Sequence, residues 1–156
     1  MSDPVTGGCQ CGAVRFAAAS LGRAAICHCR MCQKAFGGFY APLVTGIGVE
    51  WTRGRPKYFH SSNTGRRGFC GDCGTPLTYE AGDGVELAIG ALDDPEAAAP
   101  VLQVNPNDKL SFVDAIPDLP TRPVSEKAPL DVRMPGFVNN QHPDHDTPDW
   151  PPEGRR

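Results

Sequence analysis

The chain has 156 residues, 40% hydrophobic and 21% charged, enough for one domain with a modest core and small enough for metal cross-links to matter to its stability. Eighteen acidic residues against fifteen basic ones leave a formal charge of -3, a balance that argues against a role built on nucleic-acid phosphates. Met1-Ser2-Asp3-Pro4 lacks the basic start and apolar run of a secretory signal, and no stretch approaches membrane-spanning length, so the expectation is a soluble cytoplasmic protein with no membrane partner.

In chain order, short stretches of β-branched and aromatic residues separated by glycine and proline predict an all-β fold of antiparallel sheets. The predicted strands run from Ala13 to Ala17, with Val14 and Phe16 on one face, and then from Ala24 to His28, Phe39 to Val44 and Val49 to Thr52. Further strands follow from Lys57 to Ser61, Thr75 to Glu80 and Val85 to Ala91, the last pointing Val85, Leu87 and Ile89 one way. Helical periodicity is scarce. Asp94 as N-cap with Pro95 in the first turn predicts one short helix of one or two turns, closed by Pro100. Nine of the sixteen prolines lie between Pro117 and Pro152, so the chain divides into a β domain over residues 1–116 and a proline-rich arm or tail over 117–156 that cannot build its own core. His142 and His145 in that segment read as solvated side chains rather than ligands.

The seven cysteines fall into three clusters: Cys9 and Cys11, then Cys27, Cys29 and Cys32, then Cys70 and Cys73. An odd, clustered set does not suit a disulfide framework, whereas C-x-C and C-x-x-C spacing suits zinc. Cys9, Cys11, Cys70 and Cys73 can supply a closed tetrahedral site, which predicts a structural role. In an extended strand, residues two apart are separated by about 6.8 Å of rise, so the backbone must bend at Cys9-Gln10-Cys11. Cys27, Cys29 and Cys32 then supply three thiolates to a second zinc with one position open, where metal chemistry can occur. Spacing also permits Cys29, Cys32, Cys70 and Cys73 as a pair of C-x-x-C pairs, and permits His28, His60 or a tail side chain as a fourth ligand of the triplet. His28 sits between ligands on a predicted strand and should point away from them, into packing or a contact behind the ligands.

Four motifs recur in order here: Gly7-Gly8-Cys9-Gln10-Cys11-Gly12-Ala13-Val14-Arg15-Phe16, Cys27-His28-Cys29-Arg30-Met31-Cys32, Arg67-Gly68-Phe69-Cys70-Gly71-Asp72-Cys73-Gly74-Thr75-Pro76-Leu77 and Gly90-Ala91-Leu92-Asp93-Asp94-Pro95. Through them the chain resembles the glutathione-dependent formaldehyde-activating enzyme family, which includes centromere protein V. The resemblance implies a small β domain folded around two zinc ions, a structural one on Cys9, Cys11, Cys70 and Cys73 and a catalytic one on Cys27, Cys29 and Cys32. It favours that pairing over the alternatives. The segment Val101 to Phe112 departs from the family's His-aromatic strand, with Lys109 and Phe112 keeping part of the pattern.

Three thiolates on Zn2+ leave a net charge of about -1, which suits thiol chemistry better than water activation. The implied activity is that of a carbon-sulfur lyase joining glutathione to formaldehyde as S-(hydroxymethyl)glutathione. A different thiol or aldehyde adduct, or a non-enzymatic zinc module, are the competing readings. Glutathione carries two carboxylates, so Arg30, Lys34, Arg66 and Arg67 are candidate cations for the cleft, and Phe36, Phe39 and Tyr40 candidate walls.

Overall fold

In the computed structural model, which describes residues 3–123 and 134–150, eight strands join in one sheet. They are β1 (Val5–Gly8), β2 (Arg15–Cys27), β3 (Ala41–Arg53), β4 (Lys57–His60), β5 (Gly65–Phe69), β6 (Pro76–Ala81), β7 (Gly84–Ala88) and β8 (Leu102–Val104), with one α-helix, α1 (Arg30–Phe36). The order is β1-β2-β3-β7-β6-β5-β4, with antiparallel neighbours throughout. The all-β expectation holds. β8 lies parallel to the end of β2, pairing Ala25 to Cys27 with Leu102 to Val104. The two halves of β2 thus have different neighbours on one edge, β1 at its start and β8 at its end.

Two pairs of predicted strands are each one long strand. Ala19 and Ser20 are exposed and carry no apolar signal, yet Ser20 pairs with Ile47 and Leu21 with Gly46, so the hairpin ladder carries β2 and β3 across the expected breaks. A register shift between Leu21 and Ala24 bends β2 there. The strand expected to reach Ala91 ends at Ala88 and continues as a 3-10 turn, Ile89–Ala91. Asp94 does cap a short 3-10 turn, Pro95–Ala98, its side chain accepting from the Glu96 amide. α1 was not expected; seven residues are too few to display a 3.6-residue period. It is built by local chemistry instead, with the Cys29 sulfur accepting from the Cys32 amide at its start and Gly37 closing it at φ 60°.

The larger of two buried clusters holds the core of the domain. Phe16, Val44, Leu77 and Leu87 are fully buried, and Phe16 meets Trp51 edge-on at 5.9 Å. Arg15, also buried, projects to the opposite side of β2, where it forks onto Asp93 at 2.7 and 2.6 Å and reaches Asp146 at 2.6 Å. Asp146 belongs to a returning segment that lies against the turn after β1. There the His142 amide donates to the Gln10 carbonyl at 2.7 Å, the Trp150 indole N–H donates to the Cys11 carbonyl, and Arg53 donates to the Thr147 carbonyl. His142 is therefore buried rather than solvated, stacked edge-on with Trp150 at 4.9 Å, while His145 is exposed as expected. No helix among the described residues is long and apolar enough to cross a membrane.

Candidate metal centres

The two cysteine pairs that sequence reading joins across the chain meet in space. The sulfurs of Cys9, Cys11, Cys70 and Cys73 all lie within 4.8 Å of one another. Cys9 to Cys11 is 3.6 Å and Cys11 to Cys70 is 3.7 Å, far beyond a disulfide and close to the ~3.8 Å edge of a tetrahedron with 2.3 Å metal-sulfur bonds. Both pairs sit on similar turns: the Gly12 amide returns to the Cys9 carbonyl and the Gly74 amide to the Cys70 carbonyl, each at 3.0 Å. Gly12 and Gly74 take φ of 75° and 78°, values that strain any side-chain-bearing residue. The bend required at Cys9-Gln10-Cys11 is thus present. Backbone amides also turn toward sulfur, Val14 to Cys9 at 3.2 Å and Asp72 to Cys70 at 3.4 Å.

The remaining three sulfurs, of Cys27, Cys29 and Cys32, form a second cluster within the same limit. Cys27 ends β2, Cys29 caps α1 and Cys32 lies in its first turn, so a strand end and a helix start aim three side chains at one place. They rest on a small apolar floor of Ala41, Leu43, Phe36 and Tyr79. Asn105, held at φ 51° just past β8, directs its amide to Cys27 at 3.6 Å, and Arg67 donates to Cys32 at 3.4 Å. The cluster opens on a cleft of about 370 Å³ whose walls include Leu43, Thr45, Tyr79, Glu86 and Leu102.

Burial and local donors set the thiols apart. Burial pushes Cys32 up to about 12 against the opposing donation from Arg67. Burial also opposes ionisation of Cys29, but the Cys32 amide, the neighbouring thiols and Arg67 together bring it below the ordinary thiol value. In the four-cysteine cluster burial raises Cys9 and Cys11, while hydrogen bonds from Thr75 outweigh it at Cys73 and lower that thiol to about 6. Several buried thiols packed this closely ionise together only beside a cation, and both donor sets fit a soft dication such as zinc.

The candidate contacts divide. Arg67 lines the cleft, but Arg66, next in sequence, faces the other side of β5, over the Tyr58 ring and paired with Glu80 at 2.7 Å. Arg30 and Lys34 lie on exposed positions of α1 and do not line the cleft, nor do Phe36, Phe39 and Tyr40. Phe39 instead stacks on Phe112 at 5.0 Å, and Lys109 pairs with Asp114 at 2.8 Å. His28 points away from the cluster as expected, fully buried against Tyr40 and Gln103. Asn105 and Gln33 were missed. Gln33 is buried and ties the His28 carbonyl to that of Asp108; an amide inside a two-turn helix gives no motif, and Asn105 is recognisable only through the left-handed backbone that asparagine tolerates.

A model of the glutathione-dependent formaldehyde-activating enzyme family matches residues 4–107. Among solved structures, the crystal structure of a Rhodobacter sphaeroides protein, a Northeast Structural Genomics target, aligns with TM-score 0.52 and 21% identity over 64% of this chain and 99% of that one. This likeness speaks to the fold. No curated protein matches the chain.

Proposed function

Because the chain belongs to the glutathione-dependent formaldehyde-activating enzyme family, we propose that it is a zinc-dependent carbon-sulfur lyase that joins a thiol, glutathione foremost, to formaldehyde. The observation that carries this reading is the three-sulfur cluster on the wall of a cleft large enough for a small thiol. In the proposal Cys27, Cys29 and Cys32 hold the catalytic zinc, and Cys9, Cys11, Cys70 and Cys73 the structural one. When bound, the catalytic ion supplies an open position at which a thiol loses its proton and meets the aldehyde.

The chain's own residues do the rest. Strand β2 and helix α1 fix the three donors, while Asn105 and Arg67 hold Cys27 and Cys32 by donating to their sulfurs. Leu43, Leu102 and Val104 give the cleft an apolar side, and holding two reactants there supplies most of the acceleration. Residues 1–116 are the catalytic domain in this reading, and the stretch from His142 to Trp150 packs on its surface. A second reading keeps the chemistry and changes the thiol. Of the four cations expected to meet glutathione's carboxylates, Arg67 alone lines the cleft, and the one further cation on its wall, Arg23, is exposed, so a less anionic thiol suits it.

The test is exchange NMR of glutathione and formaldehyde at equilibrium with their adduct, with and without protein. Faster interconversion that disappears in Cys29→Ser supports the proposal. A rate equal to the protein-free background with glutathione and with 2-mercaptoethanol removes it; acceleration with 2-mercaptoethanol alone selects the second reading.

A further inference from the structure

Side chains alternate along β5, so the neighbours Arg66 and Arg67 leave it on opposite faces. Arg66 finds a carboxylate. Arg67 goes inward, is 8% exposed, and finds none: its Nη2 donates to the Cys32 sulfur at 3.4 Å, and its Nε and Nη1 have no partner among the described residues. Its guanidinium is backed by the ring of Tyr79, 4.9 Å away, the residue directly opposite on β6. A buried guanidinium without a counter-charge is costly. Among the described residues no carboxylate pairs with Arg67, so the anion it answers is the sulfur cluster.

We infer that Arg67 is a positioning residue that offsets the negative charge of the three thiolates, so that a fourth, anionic sulfur can join them. The inference rests on the proposed open site. Three thiolates and a dication carry about -1, and a fourth thiolate makes that about -2. With Arg67 counted, the two states carry about 0 and -1. The four-cysteine cluster differs: its sulfurs are met by the neutral amides of Val14 and Asp72, and its fourth sulfur is a built-in part of the chain.

The distinction is measurable with cobalt(II)-loaded protein, whose sulfur-to-metal absorption reports ligand entry without turnover. Two probes suffice: 2-mercaptoethanol, which brings charge only through its thiolate, and neutral imidazole. In Arg67→Gln the midpoint for 2-mercaptoethanol is expected to rise about tenfold, equivalent to one pK unit of charge interaction, while that for imidazole moves less than about threefold. Arg67→Lys, which keeps the charge, should stay within about threefold of wild type for both. Equal weakening toward both probes, or none, would show that Arg67 only packs. If Arg67→Gln does not fold, Tyr79→Leu carries the test, loosening the guanidinium; an unchanged 2-mercaptoethanol midpoint there would overturn the inference. Wild-type protein that takes up neither probe would remove the open site itself, and the role of Arg67 with it.

Discussion

Cys29 and Cys70 are the same residue in different circumstances. Cys70 is buried in the main core beside Phe16, Leu77 and Leu87, and its cluster ties the N-terminal turn to the middle of the chain. Cys29 is half-buried and lies within three residues of both cluster partners. Cys70→Ser is therefore expected to release metal and unfold the domain, and Cys29→Ser to leave a folded protein with one metal fewer and no thiol-adduct turnover. Circular dichroism with metal analysis checks this, and equal loss of structure in both variants would contradict the division of labour. Arg15 and Asp93 offer a second prediction. Burial works against Asp93, but donation from Arg15 and Thr6 holds its carboxyl below the ordinary 3.8. A carboxylate depressed in the folded state adds stability that is full above its unfolded value and fades as pH falls through the folded one. Asp93→Asn, leaving Arg15 3% exposed with only the half-exposed Asp146, should cost about 3 kcal/mol at pH 7. Its deficit should shrink in urea titrations as pH falls below the ordinary 3.8; a constant deficit would mean that packing, not the ion pair, is lost.

At the level of elements, the two cysteine turns share a left-handed glycine but not a neighbourhood. Alanine at Gly12 or Gly74 meets the same left-handed conformation and the same strain of about 1–2 kcal/mol. A Cβ at Gly74 meets nothing within 4 Å, whereas one at Gly12 meets His142 and Trp150 at 2.3 Å. Gly12→Ala should thus also lift the returning segment, seen as faster hydrogen exchange at the His142 amide, and Gly74→Ala should not. These turns were legible in the sequence because cysteine spacing and glycine placement are local requirements of a metal site. So were β4, β6 and most of β7, whose alternation is local too, whereas the glycine-rich β1 and β5, without an apolar alternation, were not. α1 was not, since its boundaries rest on a cysteine cap and one glycine, and neither was β8, three residues whose placement depends on the free edge at the end of β2. The burial of His142 escaped for a related reason: its segment has the composition of a solvated tail, and only the groove beside Gly12 and Arg53 gives it a place to pack.

For the molecule as a whole, the two clusters close loops of very different size. The contact of Cys11 with Cys70 spans 59 residues, while the triplet falls within six consecutive residues of a strand end and helix start. By the chain-entropy scaling used for cross-links, tying the long loop is worth about 4 kcal/mol and the short one about 2. The short one is also made from donors that β2, α1 and the β8 edge already hold in place. In the proposed arrangement its metal would have three protein donors rather than four and stand on an open cleft, so it should be both easier to extract and less missed. Titration with a chelator is then expected to proceed in two steps. The first removes one equivalent of metal and all thiol-adduct turnover with no change in far-UV circular dichroism. The second removes the other equivalent together with the β signal, in one cooperative transition. Returning a single equivalent of zinc should restore the fold before it restores turnover. Loss of both ions in one step, or loss of the β signal with the first, would show that the domain leans on the triplet as heavily as on the four-cysteine centre and would overturn the assignment of one ion to the scaffold and the other to the chemistry.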